Sequence, residues 1–149
     1  MRFTVIIPSR NIDNVVPCIQ AVREHEPDCG VLVVDDGLNH FLGPMGVRQI
    51  IGVKPFIFAR NINIGIRAAA CHNVILLNDD ALLQTPGGFS VMAQAAEENP
   101  NIGIIGATTN LTGQPLQRPR GIGLRGVDHF AFVCVYIPRR TIEVVGFLD

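Results

Sequence analysis

Three polar residues at the end of an apolar run are the side chains of this sequence best suited to chemistry. Residues 74–77 are all apolar and lead directly into Asn78, Asp79 and Asp80. Adjacent carboxylates repel each other, and a divalent cation that prefers oxygen ligands, Mg²⁺ or Mn²⁺, would relieve that repulsion. Because side chains alternate along an extended chain, we expect Asp80 to reach the metal and Asp79 to bond a ribose or phosphate-side group. The alternative is a solvated turn, in which Asn and Asp are common.

The apolar run before these acids predicts a strand that is buried on both faces of a sheet. Three other short apolar runs also predict strands with polar ends: residues 3–7 before Ser9-Arg10-Asn11, residues 31–34 before Asp35-Asp36, and residues 56–59 before Arg60-Asn61. Helical patterns separate them, which favours an α/β fold with three α/β/α layers around a mostly parallel sheet. Because the carboxyl ends of parallel strands share one edge, the four polar ends predict a ligand site there.

The rest of the chain completes these layers. Residues 47–51 have the spacing of a short helix, residues 89–96 that of a longer helix, and residues 102–107 and 130–137 predict strands. The long intervening loop, residues 108–126, is rich in Gly, Pro and Arg, and such loops are usually functional or disordered. Residues 139–145 predict a helical turn. No linker divides the chain, so we expect residues 1–149 to form a single domain.

Composition and charge limit the class of protein. The chain has 149 residues, of which 48% are hydrophobic and 17% charged, as in globular domains. A formal net charge of −1 argues against a general nucleic-acid binder. The longest clean apolar run, residues 130–137, is far short of the roughly 20 residues that span a bilayer. Without a signal-peptide pattern or a C-x-x-C pair, we expect a cytoplasmic protein whose four cysteines are buried, reduced thiols rather than zinc ligands.

Two motifs lie in the long loop. Residues 121–126 match G-x-G-x-x-G, but they lead into a strand, whereas the glycine loop of a dinucleotide-binding protein or a nucleotidyltransferase follows the first strand. We therefore discount this match. Arg118, Arg120 and Arg125 could clamp phosphates, although a solvated loop is the favoured explanation. Among the scattered histidines, only the pair Asp128-His129, just before the last predicted strand, is retained as a candidate for chemistry.

The order of the strand-end motifs resembles that of family 2 glycosyltransferases of the GT-A fold. Residues 4–11 (T-V-I-I-P-S-R-N) look like the opening motif of that family, and residues 33–37 (V-V-D-D-G) look like its second motif. Residues 60–65 (R-N-I-N-I-G) are similar to its N-x-G helix, and residues 76–80 (L-L-N-D-D) to its D-x-D motif, with Asn78 replacing the first acid. Residues 137–149 resemble the segment that closes the nucleotide-sugar core.

This resemblance implies inverting transfer of a sugar from a nucleoside diphosphate donor, with Mn²⁺ or Mg²⁺ as cofactor. In that family the matching positions line the nucleoside pocket, contact the base (usually uracil) or lie near the diphosphate. The donor-binding residues implied are Pro8, Ser9, Asp36, Arg60, Asn78 and Asp79, and the metal ligand implied is Asp80. The resemblance implies that Asp36 contacts the nucleotide base, that Arg60 lies near the base or the diphosphate, and that Asp79 contacts the ribose.

The sequence also departs from the family pattern. Leu38 stands where a Ser or Thr is typical, and the acidic segment that usually carries the general base would follow Asp149. Among the acids present, Asp128 is the best candidate for that base. We therefore expect donor binding with little or no transfer, and a non-catalytic nucleotide-sugar-binding module is the alternative function. The sequence does not determine the donor sugar, the acceptor (a saccharide or a lipid-linked molecule) or whether the protein forms a homo-oligomer.

Overall fold

A computed structural model describes residues 3–110, 112–121 and 123–149. Within these ranges the chain forms six strands, four α-helices and two short 3₁₀ helices. The strands are β1 (Phe3–Ser9), β2 (Gly30–Asp35), β3 (Arg48–Ile51), β4 (Asn73–Leu77), β5 (Ile105–Gly106) and β6 (Cys134–Ile137). The α-helices are α1 (Ile12–His25), α2 (Phe58–Ala68), α3 (Gly88–Glu98) and α4 (Arg139–Val145), and the 3₁₀ helices are Gly43–Met45 and Pro115–Gln117.

The six strands form one sheet in the order β3-β2-β1-β4-β6-β5. The β3-β2, β2-β1 and β1-β4 pairs are parallel. Strand β6 is antiparallel to both β4 and β5, so it is the one described strand that opposes the other five. The predicted mostly parallel sheet is confirmed, and the carboxyl ends of β1, β2 and β4 lie side by side at one edge.

Helices cover both faces of this sheet, as the alternating pattern predicted. Alternate residues of the central strands point to opposite faces, so that Val5 and Ile7 pack under α1 and α3, whereas Ile6 packs under α2 and α4. All three side chains are fully buried. Helix α3 buries Phe89, Met92, Ala93 and Ala96, which are the residues at helical spacing in the sequence. The three-layer α/β/α architecture is therefore confirmed.

Helix α2 packs unusually close to the sheet because of one glycine. A Cβ added to Gly65 would overlap the Cγ2 of Ile6 and lie 3.3 Å from the Cγ2 of Val34. Two residues earlier, the Asn63 amide donates to the Leu148 carbonyl (2.7 Å) and accepts from the Leu148 N–H (3.0 Å). The N-x-G sequence of this helix thus fixes both its depth against the sheet and the position of the C-terminal segment.

Two element predictions were wrong. Residues 56–59 are not a strand: Ile57 is the N-cap of α2, and Phe58 begins the helix. Residues 47–51 are not a helix, because residues 48–51 form the parallel edge strand β3 on β2, with Ile50 opposite Val34. A short apolar run can form either a helix or a strand. Here the unpaired edge of β2 offers backbone hydrogen bonds, and these stabilise the strand. The predicted strands 102–107 and 130–137 are shorter than expected, at 105–106 and 134–137.

The long loop between β5 and β6 is closed at its base by one buried side chain, Gln117. Its Nε2 donates to the carbonyls of Ala107 (3.1 Å) and Ala131 (2.9 Å). Its Oε1 accepts from the Ala131 N–H (2.9 Å), and its backbone carbonyl accepts from the Thr109 N–H (2.9 Å). The chain ends that enter and leave the loop are therefore held together, and the described residues 118–121 and 123–130 lie beyond that closure.

Candidate functional site

Three strand ends meet at Ser9, the last residue of β1. Ser9 lies opposite Asp35 in the register of β1 and β2, and its carbonyl accepts from the Asp36 N–H at 2.9 Å. On the other side, its Oγ lies 2.6 Å from Asp79 Oδ2 and donates to it. The predicted convergence of the ends of β1, β2 and β4 is therefore present, with one acid pair on each side of a buried serine.

The turn from β1 to α1 is fixed by local hydrogen bonds. Ser9 Oγ accepts from the Asn11 N–H at 3.1 Å, and Asn11 in turn caps α1 by accepting from the Asp13 N–H at 3.0 Å. An N-cap of this kind satisfies one of the free N–H groups of the first helical turn. Ser9 is thus held in one orientation, with its hydroxyl aimed at Asp79, before any ligand arrives.

Asp35, the first acid of the second motif, is a structural residue. One carboxylate oxygen accepts from the backbone N–H groups of Gly37 (2.7 Å) and Leu38 (2.6 Å). The other accepts from Nε2 of Gln49 on β3 (2.7 Å). With three hydrogen bonds already formed inside the protein, this carboxylate holds the turn after β2 and the edge strand rather than a ligand.

The neighbouring acid, Asp36, is in the opposite situation. Its side chain is 6% exposed, and its Oδ1 is buried without a hydrogen-bond partner among the described residues. It lines a cavity of about 430 Å³ together with Asp35, Gly37, Asn39, Ile51, Gly52 and Lys54. A buried acceptor without a donor costs about 1–3 kcal/mol, and a ligand N–H would remove that cost. Asp36 therefore brings an acceptor that is unsatisfied among the described residues to the wall of this cavity.

Two further walls of this cavity come from β3 and the loop after it. Ile51 is 77% exposed and offers an apolar surface to the cavity. The Lys54 ammonium lies over Gly37, 3.1 Å from where a Cβ would stand on that glycine, whose φ is +113°. An acceptor, a cation and an apolar wall are together suited to a flat heterocycle bearing donors and acceptors. Sequence reasoning missed Ile51 and Lys54, because β3, which carries Ile51 and leads to Lys54, was predicted as a helix.

Arg60 is placed differently from the prediction. It lies in the first turn of α2, not at the end of a strand, and its guanidinium donates to the carbonyls of Val53 (2.6 Å) and Pro55. Its Nε is buried without a partner among the described residues. The adjacent Asn61 accepts from the Val53 N–H at 3.2 Å. Both side chains therefore hold the loop that carries Lys54, and they act on the cavity through that loop.

The third motif, at the end of β4, is fixed through its backbone. The Asn78 N–H donates to the Val133 carbonyl (3.0 Å), and the Asn78 carbonyl accepts from the Ala81 N–H (3.1 Å). These bonds use the Asn78 main chain and place Asp79 next to Ser9. Asp80 is exposed at the surface beside it.

The acids at this sheet edge suit only a metal site in which a bound substrate supplies some of the ligands. In the described part of the chain, no group of three or more His, Cys, Asp or Glu side chains is arranged to hold a metal ion. Mg²⁺ and Mn²⁺ are commonly bound by one or two carboxylates, with the remaining positions filled by substrate phosphates and water. The exposed carboxylate of Asp80 next to Asp79 fits that kind of site.

The cysteines supply no nucleophile here. Cys18 packs beneath the third motif, with its Sγ 3.6 Å from the Asn78 carbonyl, and burial, followed by the nearby Asp79 charge, raises its pKa to about 12. Burial also raises the pKa of Cys134 to about 12. The four thiols are free, but the expectation that all are buried was wrong, because Cys71 is exposed and Cys29 is partly exposed.

Asp128 is not brought to these acids by any contact within the described residues. It and His129 are exposed in the irregular segment before β6. The G-x-G-x-x-G match falls in the same region, and its Ile122 lies outside the described residues. Residues 123–133 contain no helix, so the described part of that motif lacks the context that phosphate binding requires.

Comparison with known proteins was informative for structure only. No protein-family model matches the sequence, and no curated protein matches it. A mannosyltransferase from Pyrobaculum calidifontis, solved with GDP-mannose and Mn²⁺, superimposes with a TM-score of 0.73 at 17% identity, over 99% of this chain and 47% of that one. The chain thus spans about half the length of that enzyme.

Two other solved structures are similar. Glucosyl-3-phosphoglycerate synthase from Mycobacterium tuberculosis, solved with Mn²⁺, UDP and glucosyl-3-phosphoglycerate, has a TM-score of 0.64 at 13% identity, over 93% of this chain and 57% of that one. A CMP-2-keto-3-deoxy-manno-octonic acid synthetase, complexed with CTP, has a TM-score of 0.62 at 12% identity, over 97% and 77%. Among the described residues, no helix is both long and apolar enough to cross a membrane. At these identities the likeness establishes architecture: the chain has the nucleotide-diphospho-sugar transferase fold of the GT-A type.

Proposed function

We propose that this chain binds a nucleoside diphosphate sugar and belongs to a metal-dependent, inverting glycosyltransferase. The observation that carries the proposal is the pairing of two features at one sheet edge. One is the buried, unpartnered Asp36 Oδ1 in a cavity of about 430 Å³, and the other is the Ser9–Asp79 hydrogen bond beside it. The GDP-mannose and the UDP bound by two similar structures are consistent with this assignment.

In the proposed complex the base occupies the cavity and the sugar lies toward the end of β4. Asp36 accepts an N–H of the base, while Pro8 and Ser9 form the floor of the nucleoside pocket. Asp79 accepts from a ribose hydroxyl through the oxygen that Ser9 leaves free. Arg60 contributes by holding the loop of Lys54, whose positive charge lies at the wall of the cavity that receives the base.

The metal in this proposal is Mn²⁺ or Mg²⁺, held by Asp80 with Asp79 and Asn78 beside it. When bound, such an ion neutralises charge that develops on the diphosphate leaving group. The residues of the chain orient the donor around it: Asp79 is fixed by Ser9, and the backbone of Asn78 is fixed by Val133. Inverting transfer also requires a base near the acceptor hydroxyl, and Asp128 is the proposed residue.

Calorimetric titration with UDP and GDP, each with and without Mn²⁺, tests donor binding. We expect at least one nucleotide to bind, with higher affinity when Mn²⁺ is present, and to bind more weakly to Asp36→Ala. Asp28→Ala is the matched control, because Asp28 is an exposed acid near the amino end of β2, away from the cavity. Absence of binding by both nucleotides, or equal losses in the two variants, would contradict the proposal.

Transfer is tested separately with a radiolabelled donor and a panel of saccharide and lipid-linked acceptors. If Asp128 is the base, Asp128→Asn abolishes transfer and leaves donor affinity unchanged. Donor binding without transfer to any acceptor favours the second candidate, a nucleotide-sugar-binding module without catalysis. That alternative is supported by the exposure of Asp128 and by the absence of any described contact between it and the strand-end acids.

A further inference from the structure

The loop that projects beyond Gln117 has an unusual surface. The sequence between Thr108 and Val127 contains three arginines, Arg118, Arg120 and Arg125, and no acidic residue or lysine. All three arginines are exposed, and none forms an ion pair within the described residues. Asp128 and His129 follow directly, so residues 116–132 carry three arginines and one acid, a formal charge of +2 in a chain whose net charge is −1.

The same segment exposes large apolar side chains. Leu116 is 53% exposed, Leu124 52%, Phe132 39% and Val127 37%. We call residues 116–132 the arginine loop; its Ile122 lies outside the described residues. Single exposed apolar side chains are common on protein surfaces, but four of them interleaved with three arginines in one loop form a mixed apolar and cationic surface.

The base of the arginine loop is held firmly and lies next to the candidate site. Gln117 ties together Ala107 and Ala131, and the Val133 carbonyl accepts from the Asn78 N–H. The loop therefore projects from the same edge of the sheet as the strand-end acids. It can contact a large partner there without displacing any strand.

We propose that the arginine loop docks this chain onto an anionic lipid surface. Arginines near a membrane are attracted by the negative surface potential, and leucine and phenylalanine side chains enter the boundary between headgroups and acyl chains. Nucleic acid also attracts arginine, but a nucleic-acid partner would not bury the exposed apolar side chains of Leu116, Leu124 and Phe132. The partner that matches both the charge and the apolar side chains is a bilayer containing acidic lipids.

A vesicle flotation assay on the full chain, without nucleotide, tests this proposal. One vesicle type is pure phosphatidylcholine, and the other also contains roughly 30 mol% phosphatidylglycerol, a level at which surface potential is substantial. We expect the protein to float with the acidic vesicles and much less with the neutral ones. Arg118→Gln with Arg120→Gln should weaken binding to acidic vesicles by about 30-fold, since each arginine near the surface contributes about fivefold.

Matched variants distinguish vesicle binding through the arginine loop from a general effect of positive charge on the protein. Arg48→Gln with Arg67→Gln removes the same charge from exposed arginines of β3 and α2, and should leave vesicle binding close to that of the wild type. Leu116→Ser with Leu124→Ser should weaken binding while preserving the charge. Melting temperatures of all variants establish that they fold.

Three results would overturn the inference: equal binding to neutral and acidic vesicles, equal losses in the two arginine variants, or binding to a single-stranded oligonucleotide with no binding to vesicles. The docking does not depend on the proposed function, because the assay contains no nucleotide. UDP or GDP affinity of the Arg118→Gln, Arg120→Gln variant, measured separately, should equal that of the wild type.

Discussion

Replacing Asp36 with alanine should make the unliganded protein more stable and its complex weaker. The Asp36 Oδ1 is buried and accepts no hydrogen bond from the described residues, so the folded state bears the desolvation cost of this oxygen without compensation. Such a group costs about 1–3 kcal/mol. Because alanine also removes the van der Waals packing of the carboxylate, only part of this cost is recovered. We expect the free energy of unfolding to rise by about 1 kcal/mol, or about 2–4 °C in melting temperature for a domain of this size.

The same substitution removes the acceptor proposed for the nucleotide base. A hydrogen bond to a charged group contributes about 1.5–3 kcal/mol, so the dissociation constant for UDP or GDP should rise about 10- to 150-fold. Stability and affinity should therefore change in opposite directions. Thermal denaturation without ligand and calorimetric titration with each nucleotide measure the two quantities on one preparation.

Asp35→Ala is the control for this experiment, because Asp35 is the neighbouring acid with the opposite environment. Its carboxylate accepts from Gly37, Leu38 and Gln49, and the loss of these three bonds should lower the free energy of unfolding by about 3 kcal/mol or more. If Asp36→Ala were destabilising to the same degree, Asp36 would be structural as well. An unchanged affinity in a stabilised variant would show that the cavity does not hold the base.

Three further predictions concern packing, metal and thiol chemistry. Gly65→Ala should lower the free energy of unfolding in urea by about 1–2 kcal/mol, because its overlap with Ile6 outweighs the gain in helix propensity, and the loss should vanish on an Ile6→Ala background. Asp80→Ala should abolish the gain in UDP affinity that Mn²⁺ provides and leave metal-free affinity and melting temperature unchanged; a fall in melting temperature would contradict the exposed position of this residue. At pH 8 iodoacetamide should label the exposed Cys71 within minutes and Cys18 only after denaturation, because a pKa of about 12 leaves Cys18 without thiolate; mass spectrometry that finds equal labelling would refute this.

The sequence was sufficient for the parts of the fold in which local pattern and tertiary environment agree. Strands β1, β2 and β4 are apolar on both faces and are followed at once by polar residues, so their existence, direction and site-bearing ends were all predictable. The Ser9–Asp79 contact joins residues 70 positions apart, and only the shared edge of a parallel sheet made it foreseeable that the two would meet.

The remaining parts depended on contacts that leave little trace in the sequence. Residues 56–59 are aromatic and β-branched enough for a strand, yet α2 begins there without a side-chain cap to signal it. Residues 47–51 have apolar residues at helical spacing, and the hydrogen bonds offered by the edge of β2 override that pattern. Because β3 carries Ile51 and leads to Lys54, an error in one edge strand concealed one wall of the cavity. The different roles of Asp35 and Asp36 could not be predicted from the sequence either, because they depend on the position of Gln49.

Gln117 marks the position beyond which the loop could vary in length and sequence among related chains. Its side chain replaces the backbone hydrogen bonds that a longer strand pair would form, because it joins Ala107 to Ala131. The chain beyond it can therefore change length without moving β5 or β6. The entropy of closing such a loop grows slowly, by about 0.6 kcal/mol for each doubling of its length. Related chains that keep this glutamine and the six-stranded sheet could exchange residues 118–130 for loops of other sizes and chemistries. New surfaces could then evolve at one edge of the sheet while the cavity at Asp36 stays under unchanged selection.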